Sequence, residues 1–183
     1  MFFEFTVLGF LAGWLRGGRI KHLLAKTPRL PILVVLAFGL QIGLRFAPLP
    51  RGLLETYAPF AHILSYLLLF PFIFVNRKLP GMYIIALGVL LNFLVIAVNG
   101  GAMPVSPAGL SPEALETLAV GRNFLHKPVS PETRLVFLAD IIPVIGRGKI
   151  SMGDIFMAAG VFYYLQQAMQ RKRVKGTRSY RHR

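Results

Sequence analysis

Apolar residues gather in five runs along this chain, roughly 1–15, 31–48, 59–76, 81–98 and 150–169, and polar residues are confined to the segments between them. A helix that crosses a bilayer core needs about 20 mostly apolar residues. The first run is short for that length and the other four approach it. The pattern predicts an all-α, polytopic membrane bundle of about five helices. Residues 1–170 form one transmembrane domain in this reading, followed by a basic tail at 171–183.

The longest polar stretch, 99–149, separates the fourth and fifth runs. It opens with Asn99-Gly100-Gly101-Ala102-Met103-Pro104-Val105-Ser106-Pro107, where paired glycines followed by prolines turn the chain away from a helix. Ser111-Pro112-Glu113 and Ser130-Pro131-Glu132 each place a capping serine before a proline and an acid, a helix-start signal. Short interfacial helices are therefore expected near 112–120 and 131–142, the second stopping at Pro143. A loop of this length in so small a protein is often functional, and a simple lid over the bundle is the plainer expectation beside it.

Charge gives the helices a direction. The chain carries 21 Lys and Arg against 7 acids, yet 55% of its residues are hydrophobic and the mean hydropathy is +0.59. A basic soluble nucleic-acid binder would not combine those values, and no nucleic-acid partner is expected. Short cytoplasmic loops hold the Lys/Arg excess of a membrane protein. Arg16, Arg19, Lys21, Lys26 and Arg29 follow the first run, Arg77 and Lys78 the third, and seven more lie between Arg171 and Arg183. These share one side if the N-terminus is outside and the C-terminus inside, which predicts a multi-pass protein of the plasma (inner) membrane. The tail then serves as a topology anchor, with anionic-lipid binding as the sharper alternative. Glu4 near the start, with basic residues only after the run, is the reverse of a signal peptide. The chain has no cysteine, so neither a disulfide nor a thiolate metal site is available.

Two aspartates, Asp140 and Asp154, are the only ones in the chain, and both lie in apolar sequence on the outer side. Asp154 falls about one turn into the last helix. Asp140 is expected to end the interfacial helix, and Gly146-Arg147-Gly148 can fold the chain back between them. Two carboxylates at close range share a proton, so one serves as base while the other serves as acid. Ser151-x-x-Asp154 also fits a capping box, which explains Asp154 without catalysis. An ion pair with Arg45, Arg147 or Lys149 would do the same for Asp140. Gln41 and Arg45 share a face of the second run, as do Asn92 and Asn99 on the fourth. A polar residue in a span can simply bond a neighbouring helix, as Asn92 alone would. Because Arg45, Asn99, Asp140 and Asp154 all fall near one depth, a shared outward-facing pocket is expected. Its candidate catalytic residues are Asp140 and Asp154, and its candidate binding residues are Arg45, Asn92, Asn99, Gly100 and Ser106. His22, His62, His126 and His182 show no ligand spacing, so no metal or other cofactor is expected. Ser65 and Tyr66 read as packing residues.

The segments Val98–Ser106, Asp140-Ile141-Ile142-Pro143 and Ser151-Met152-Gly153-Asp154 resemble, over nearly the whole chain, a bacterial family of small multi-pass membrane proteins, a domain of unknown function. The C-terminal part also resembles the lipoprotein signal peptidase, a membrane aspartyl enzyme. In that family one Asp lies in an apolar interfacial segment, and a second lies just inside the last helix ahead of a glycine. Asp140, Asp154 and Gly160 stand in that order here, with Ser151 in place of an expected Asn. The resemblance aligns Gln41 and Arg45 with a polar-basic pair on that enzyme's first helix, and Asn92 after Gly88 with a Gly-Asn pair on its third. It implies intramembrane aspartyl hydrolysis. The residues themselves leave open a non-catalytic pocket for a lipid, a peptide or a membrane-protein partner.

Overall fold

The computed structural model describes residues 2–46, 48–119, 124–144 and 148–170. It is mostly helical, with seven α-helices among these residues: α1 (Phe2–Leu15), α2 (Ile20–Leu24), α3 (Pro31–Phe46), α4 (Arg51–Val75), α5 (Met82–Val98), α6 (Pro112–Ala119) and α7 (Met152–Met169). It is not all-α, however. Four three-residue strands lie in the segment between α5 and α7. Strand β1 (Met103–Val105) pairs in parallel with β2 (His126–Pro128), and β3 (Ile142–Val144) pairs antiparallel with β4 (Gly148–Ile150).

The five long helices coincide with the five apolar runs, with one displaced boundary. Helix α4 begins at Arg51, eight residues ahead of its apolar run, and contains Pro59 and Pro71. An exposed Arg51–Glu55 ion pair of 2.7 Å and a hydroxyl bond from Thr56 to the Gly52 carbonyl bind this extra first turn together. By length and apolarity together, α4 is the one described helix that qualifies as a membrane span, while α3, α5 and most of α1 are shorter apolar helices.

Glycines set the closest packing in the molecule. Helix α7 lies antiparallel to α5, with Gly153 against Gly88 and Gly160 against Gly81. A Cβ on Gly160 would stand 2.8 Å from the Ile85 amide nitrogen, and one on Gly153 would overlap the Asn92 side chain. Small residues at such a seam let backbones approach, as in membrane helix pairs. Helix α7 also packs on α1 and α2, α3 lies along α4, and α4 contacts α5. The core gathers Tyr66, Leu69, Ile73, Met82, Val89 and Ile96 from α4 and α5.

The basic segment after α1 folds against the end of α7. Lys26 Nζ donates to the carbonyls of Gln167 and Gln170, and His22 Nδ1 donates to that of Met169. Cations at the open carbonyls of a helix C-terminus offset its dipole. Asn76 then grips the Arg29 backbone through both amide atoms, at 2.7 and 2.8 Å. The cluster is therefore a structural cap as well as a charge bias.

The expected helix over 131–142 is absent. Only Val136–Leu138 winds into a 3-10 turn, and Leu135 ahead of it has φ +54°. Asn99 accepts the Arg134 amide and donates to the Arg134 carbonyl, removing that residue from any helical ladder. Asp140 accordingly does not end a helix. Its amide donates to the Pro104 carbonyl and its carbonyl accepts from the Ser106 amide, so it extends the small sheet beside Val105. Val120 falls just past the end of α6, and Gly146 and Arg147 fall between β3 and β4. These three, with the basic tail 171–183, lie outside the described residues.

Candidate functional site

A cavity of about 170 Å³ lies where α3, α4, α5 and α7 meet the small sheet. Each helix contributes a polar residue at this level: Gln41 from α3, His62 and Tyr66 from α4, Asn92 from α5 and Asp154 from α7. The sheet adds His126 and Asp140. The two aspartates therefore line one cavity, although 13 positions separate them in sequence.

Their environments differ. Asp154 is the third residue of α7. It closes a reciprocal capping box with Ser151, whose hydroxyl accepts the Asp154 amide while its own amide donates to Asp154 Oδ2. Asn92, 1% exposed, donates to Asp154 Oδ1 at 2.9 Å and accepts the Ser151 hydroxyl at 2.7 Å. Both carboxylate oxygens are thus engaged, at a helix N-terminus where the dipole favours negative charge. The capping box and the cavity position hold together; one does not replace the other.

Asp140 is 6% exposed, and no hydrogen bond reaches its buried Oδ1 among the described residues. Burial, reinforced by the nearby Asp154 charge, pushes its pKa up to about 8. A carboxyl group without donors or a cationic partner is cheaper to bury neutral. His126 Nε2 stands 3.8 Å from Asp140 Oδ2, too far for a hydrogen bond. Burial lowers the His126 pKa to about 4, with His62 and Arg45 acting in the same direction. Burial thus shifts both groups toward their neutral forms, which works against an ion pair between them. Nδ1 of His126 is also buried without a hydrogen-bond partner among the described residues. Unsatisfied polar atoms around a cavity mark where a water or a polar ligand group would be held.

The other walls are fixed by hydrogen bonds. His62 Nδ1 donates to the Gly101 carbonyl at 2.8 Å, tying α4 to the loop after α5. Gln41 donates to the Ser65 hydroxyl, which in turn donates to the His62 carbonyl. Tyr66 stacks edge-on against His62, with ring centroids 5.6 Å apart.

The remaining candidates fall around this cavity in different ways. Asn92 lines it. Arg45 lines an adjoining groove of about 400 Å³ that also borders His126 and Asp140. Asn99 does not line it. Asn99 clamps Arg134, donates to the Val95 carbonyl and receives Lys127 Nζ on its own carbonyl. Gly100 has φ +75° and open space around its Cα, which makes it a turn residue. Ser106 reaches the site through its backbone bond to Asp140. His62, Tyr66 and His126 are cavity residues that composition and ligand spacing do not single out. His62, Tyr66 and Leu69 recur at helical spacing, which was the available sign for two of them. His126 is brought in by the pairing of β1 with β2, a contact without a sequence signature. Among the described residues, no group of three or more His, Asp or Glu side chains is arranged to hold a metal ion.

A protein of Thermotoga maritima, described as uncharacterized, is 38% identical over 151 residues, which cover 80% of each chain. No solved structure matches the fold. The family model of DUF5317, a family of unknown function, matches residues 27–166 and so spans the cavity residues on α3, α4, α5, the sheet and α7. The chain belongs to the DUF5317 family.

Proposed function

We propose that this protein is an integral membrane hydrolase in which Asp140 and Asp154 form an acid–base pair at the outer membrane face. One observation carries the reading: the only two aspartates of the chain line one cavity in opposite environments. Asp154 is met by two donors on its carboxylate, and Asp140 is buried with none on Oδ1. Titratable pairs whose surroundings separate their protonation states are the usual basis for assigning acid and base. In the reaction, Asp154 takes a proton from water as the water oxygen attacks a carbonyl carbon. Asp140 gives its proton to the carbonyl oxygen. Collapse of the resulting gem-diol returns a hydroxyl proton to Asp140, and Asp154 passes its proton to the departing amine or alcohol. The resemblance of the C-terminal part to the lipoprotein signal peptidase favours the same chemistry.

Membrane insertion is supported by where the apolar surface lies. Trp14, Phe60, Phe74 and Tyr83, on α1, α4 and α5, are 66–73% exposed, and Leu15 is 81% exposed. Apolar surface on that scale marks a lipid or protein interface. Helices of 16–18 residues reach about 24–27 Å at 1.5 Å per residue. Slight bilayer thinning and snorkelling of Arg16, Arg29, Arg45 and Arg77 accommodate the shortfall. The charge bias supports an orientation with the N-terminus outside and the C-terminus in the cytoplasm, and with it a cavity on the outer side of the plasma membrane.

A second reading, a pocket that binds a lipid or membrane partner without chemistry, is favoured by the complete capping box at Asp154. Heavy-oxygen water separates the two. Purified protein in proteoliposomes, incubated with membranes from cells lacking it, should release products carrying the label in a new carboxyl group. Asp154→Asn should give none. Equal labelling by that variant would leave only the binding reading.

A further inference from the structure

The aspartate cavity is the middle one of three adjoining spaces. On its inner side lies a cavity of about 470 Å³ with an apolar surface, bordered by residues of all five long helices. Phe38, Leu69 and Met157 wall both of these spaces. On its outer side lies the groove of about 400 Å³, and His126 and Asp140 wall both of those. The groove holds two cations, Arg45 and Lys149, and two acids, Glu113 at its rim and Asp140 shared with the aspartate cavity. Neither cation has an ion-pair partner among the described residues.

Four helices show the same gradient along one stripe, with positions three or four residues apart. Helix α3 presents Val34, Phe38, Gln41 and Arg45 in outward order. Helix α4 presents Ile73, Leu69, Tyr66 and His62. Helix α5 runs Met82, Ile85, Val89 and Asn92, and α7 runs Leu165, Val161, Met157 and Asp154. From Val34 to Arg45 the stripe climbs about 16 Å at 1.5 Å per residue. The inner cavity falls within the roughly 300–1,000 Å³ range of small-molecule sites.

From this arrangement we infer that the site takes an anionic glycerophospholipid, with an acyl chain in the apolar cavity, its ester carbonyl between the aspartates and its phosphate between Arg45 and Lys149. The inference deepens the hydrolase reading by naming its substrate class. A lipid of the outer leaflet has this order of parts and this direction, tail inward and head outward. The small free volume around the aspartates suits an ester group, and the inner cavity exposes no polar surface to partner the free amides of an extended peptide. Cleavage would follow the balanced course given above, with water adding to the ester carbonyl, the fatty acid leaving as a carboxylic acid and the lysolipid as an alcohol.

Native mass spectrometry of the detergent-purified full chain, titrated with dioleoyl phosphatidylglycerol or dioleoyl phosphatidylcholine, tests the lipid site apart from turnover. Phosphatidylglycerol should bind more tightly. Arg45→Ala and Lys149→Ala should each weaken it about fivefold, the effect of one cation near an anionic headgroup, and leave phosphatidylcholine unchanged. Val161→Trp, which fills the inner cavity, should weaken both lipids, and its melting temperature reports whether it folds. Should it fail to fold, Val161→Phe and Val34→Phe take its place. Asp140→Asn should still bind phosphatidylglycerol without producing lysolipid. Binding with no lysolipid from the wild type would keep the lipid site and remove the hydrolase reading. Equal affinity for the two lipids, or loss of phosphatidylglycerol on adding inorganic phosphate alone, would overturn the inference.

Discussion

Asp140 stands out at the residue scale because its burial is uncompensated. Unfolded, it would lose its proton near 3.8; folded, it keeps it to about 8. Its contribution to stability is therefore complete below about 4 and declines as pH rises to about 8. His126 works in the opposite sense, with a folded pKa of about 4 below an unfolded 6.5, so its contribution grows between those values. The slopes offset each other between about 4 and 6.5 and leave a net decline from 6.5 to 8. Melting in detergent should therefore fall over that upper window, and Asp140→Asn should remove the fall. An unchanged slope in the variant would mean that Asp140 is ionised in the fold. Asn92 offers a second check. It satisfies the Ser151 hydroxyl and one Asp154 oxygen at once, so Asn92→Leu strands two buried polar groups and should cost about 1–3 kcal/mol. A melting temperature equal to the wild type's would show that the network contributes nothing. The two aspartates were legible in sequence because charged residues are conspicuous in apolar runs. His126 was not, because its place depends on strands of three residues, too short to show a period.

At the scale of elements, helices were legible wherever apolar runs set them. Residues 31–48, 81–98 and 150–169 differ from α3, α5 and α7 by no more than two residues at either end. Helix α4 starts ahead of its apolar run because its first turns carry Arg51, Glu55 and Thr56, which an apolar pattern leaves out, and it holds Pro59 in its interior. The segment 131–142 has the composition of a helix, but the Asn99 clamp on Arg134 and the left-handed Leu135 override it. Long-range hydrogen bonds of that kind leave no local trace. The glycine seam of α5 and α7 gives the sharpest test at this scale. Gly153→Ala puts a methyl group into the Asn92 side chain and the Gly88 carbonyl. It should cost about 1–3 kcal/mol, as overpacking does, and should disturb the Asn92–Asp154 bond. Gly39→Ala, where a Cβ meets open space, should be neutral or slightly stabilising and serves as the control. Equal melting temperatures for the two variants would mean that the seam tolerates a methyl group.

For the molecule as a whole, the proposed membrane bundle carries a polar chamber at one end, and the proposed orientation turns that end outward. The orientation is open to direct test because the chain contains no cysteine. A single cysteine at Glu116, on α6, should react with an impermeant reagent added outside intact cells, and one at Lys78 should react only after permeabilisation. The reverse pattern would put the chamber in the cytoplasm. Acid and base acting as one unit leave a kinetic signature, because removing both members costs little more than removing either. The decisive measurement is the turnover of Asp140→Asn, Asp154→Asn and the double variant in proteoliposomes, each compared with the wild type. The account predicts that both single variants fall to the level of the double variant while still melting cooperatively. Turnover retained by either single variant, or two losses that simply multiply in the double, would contradict it.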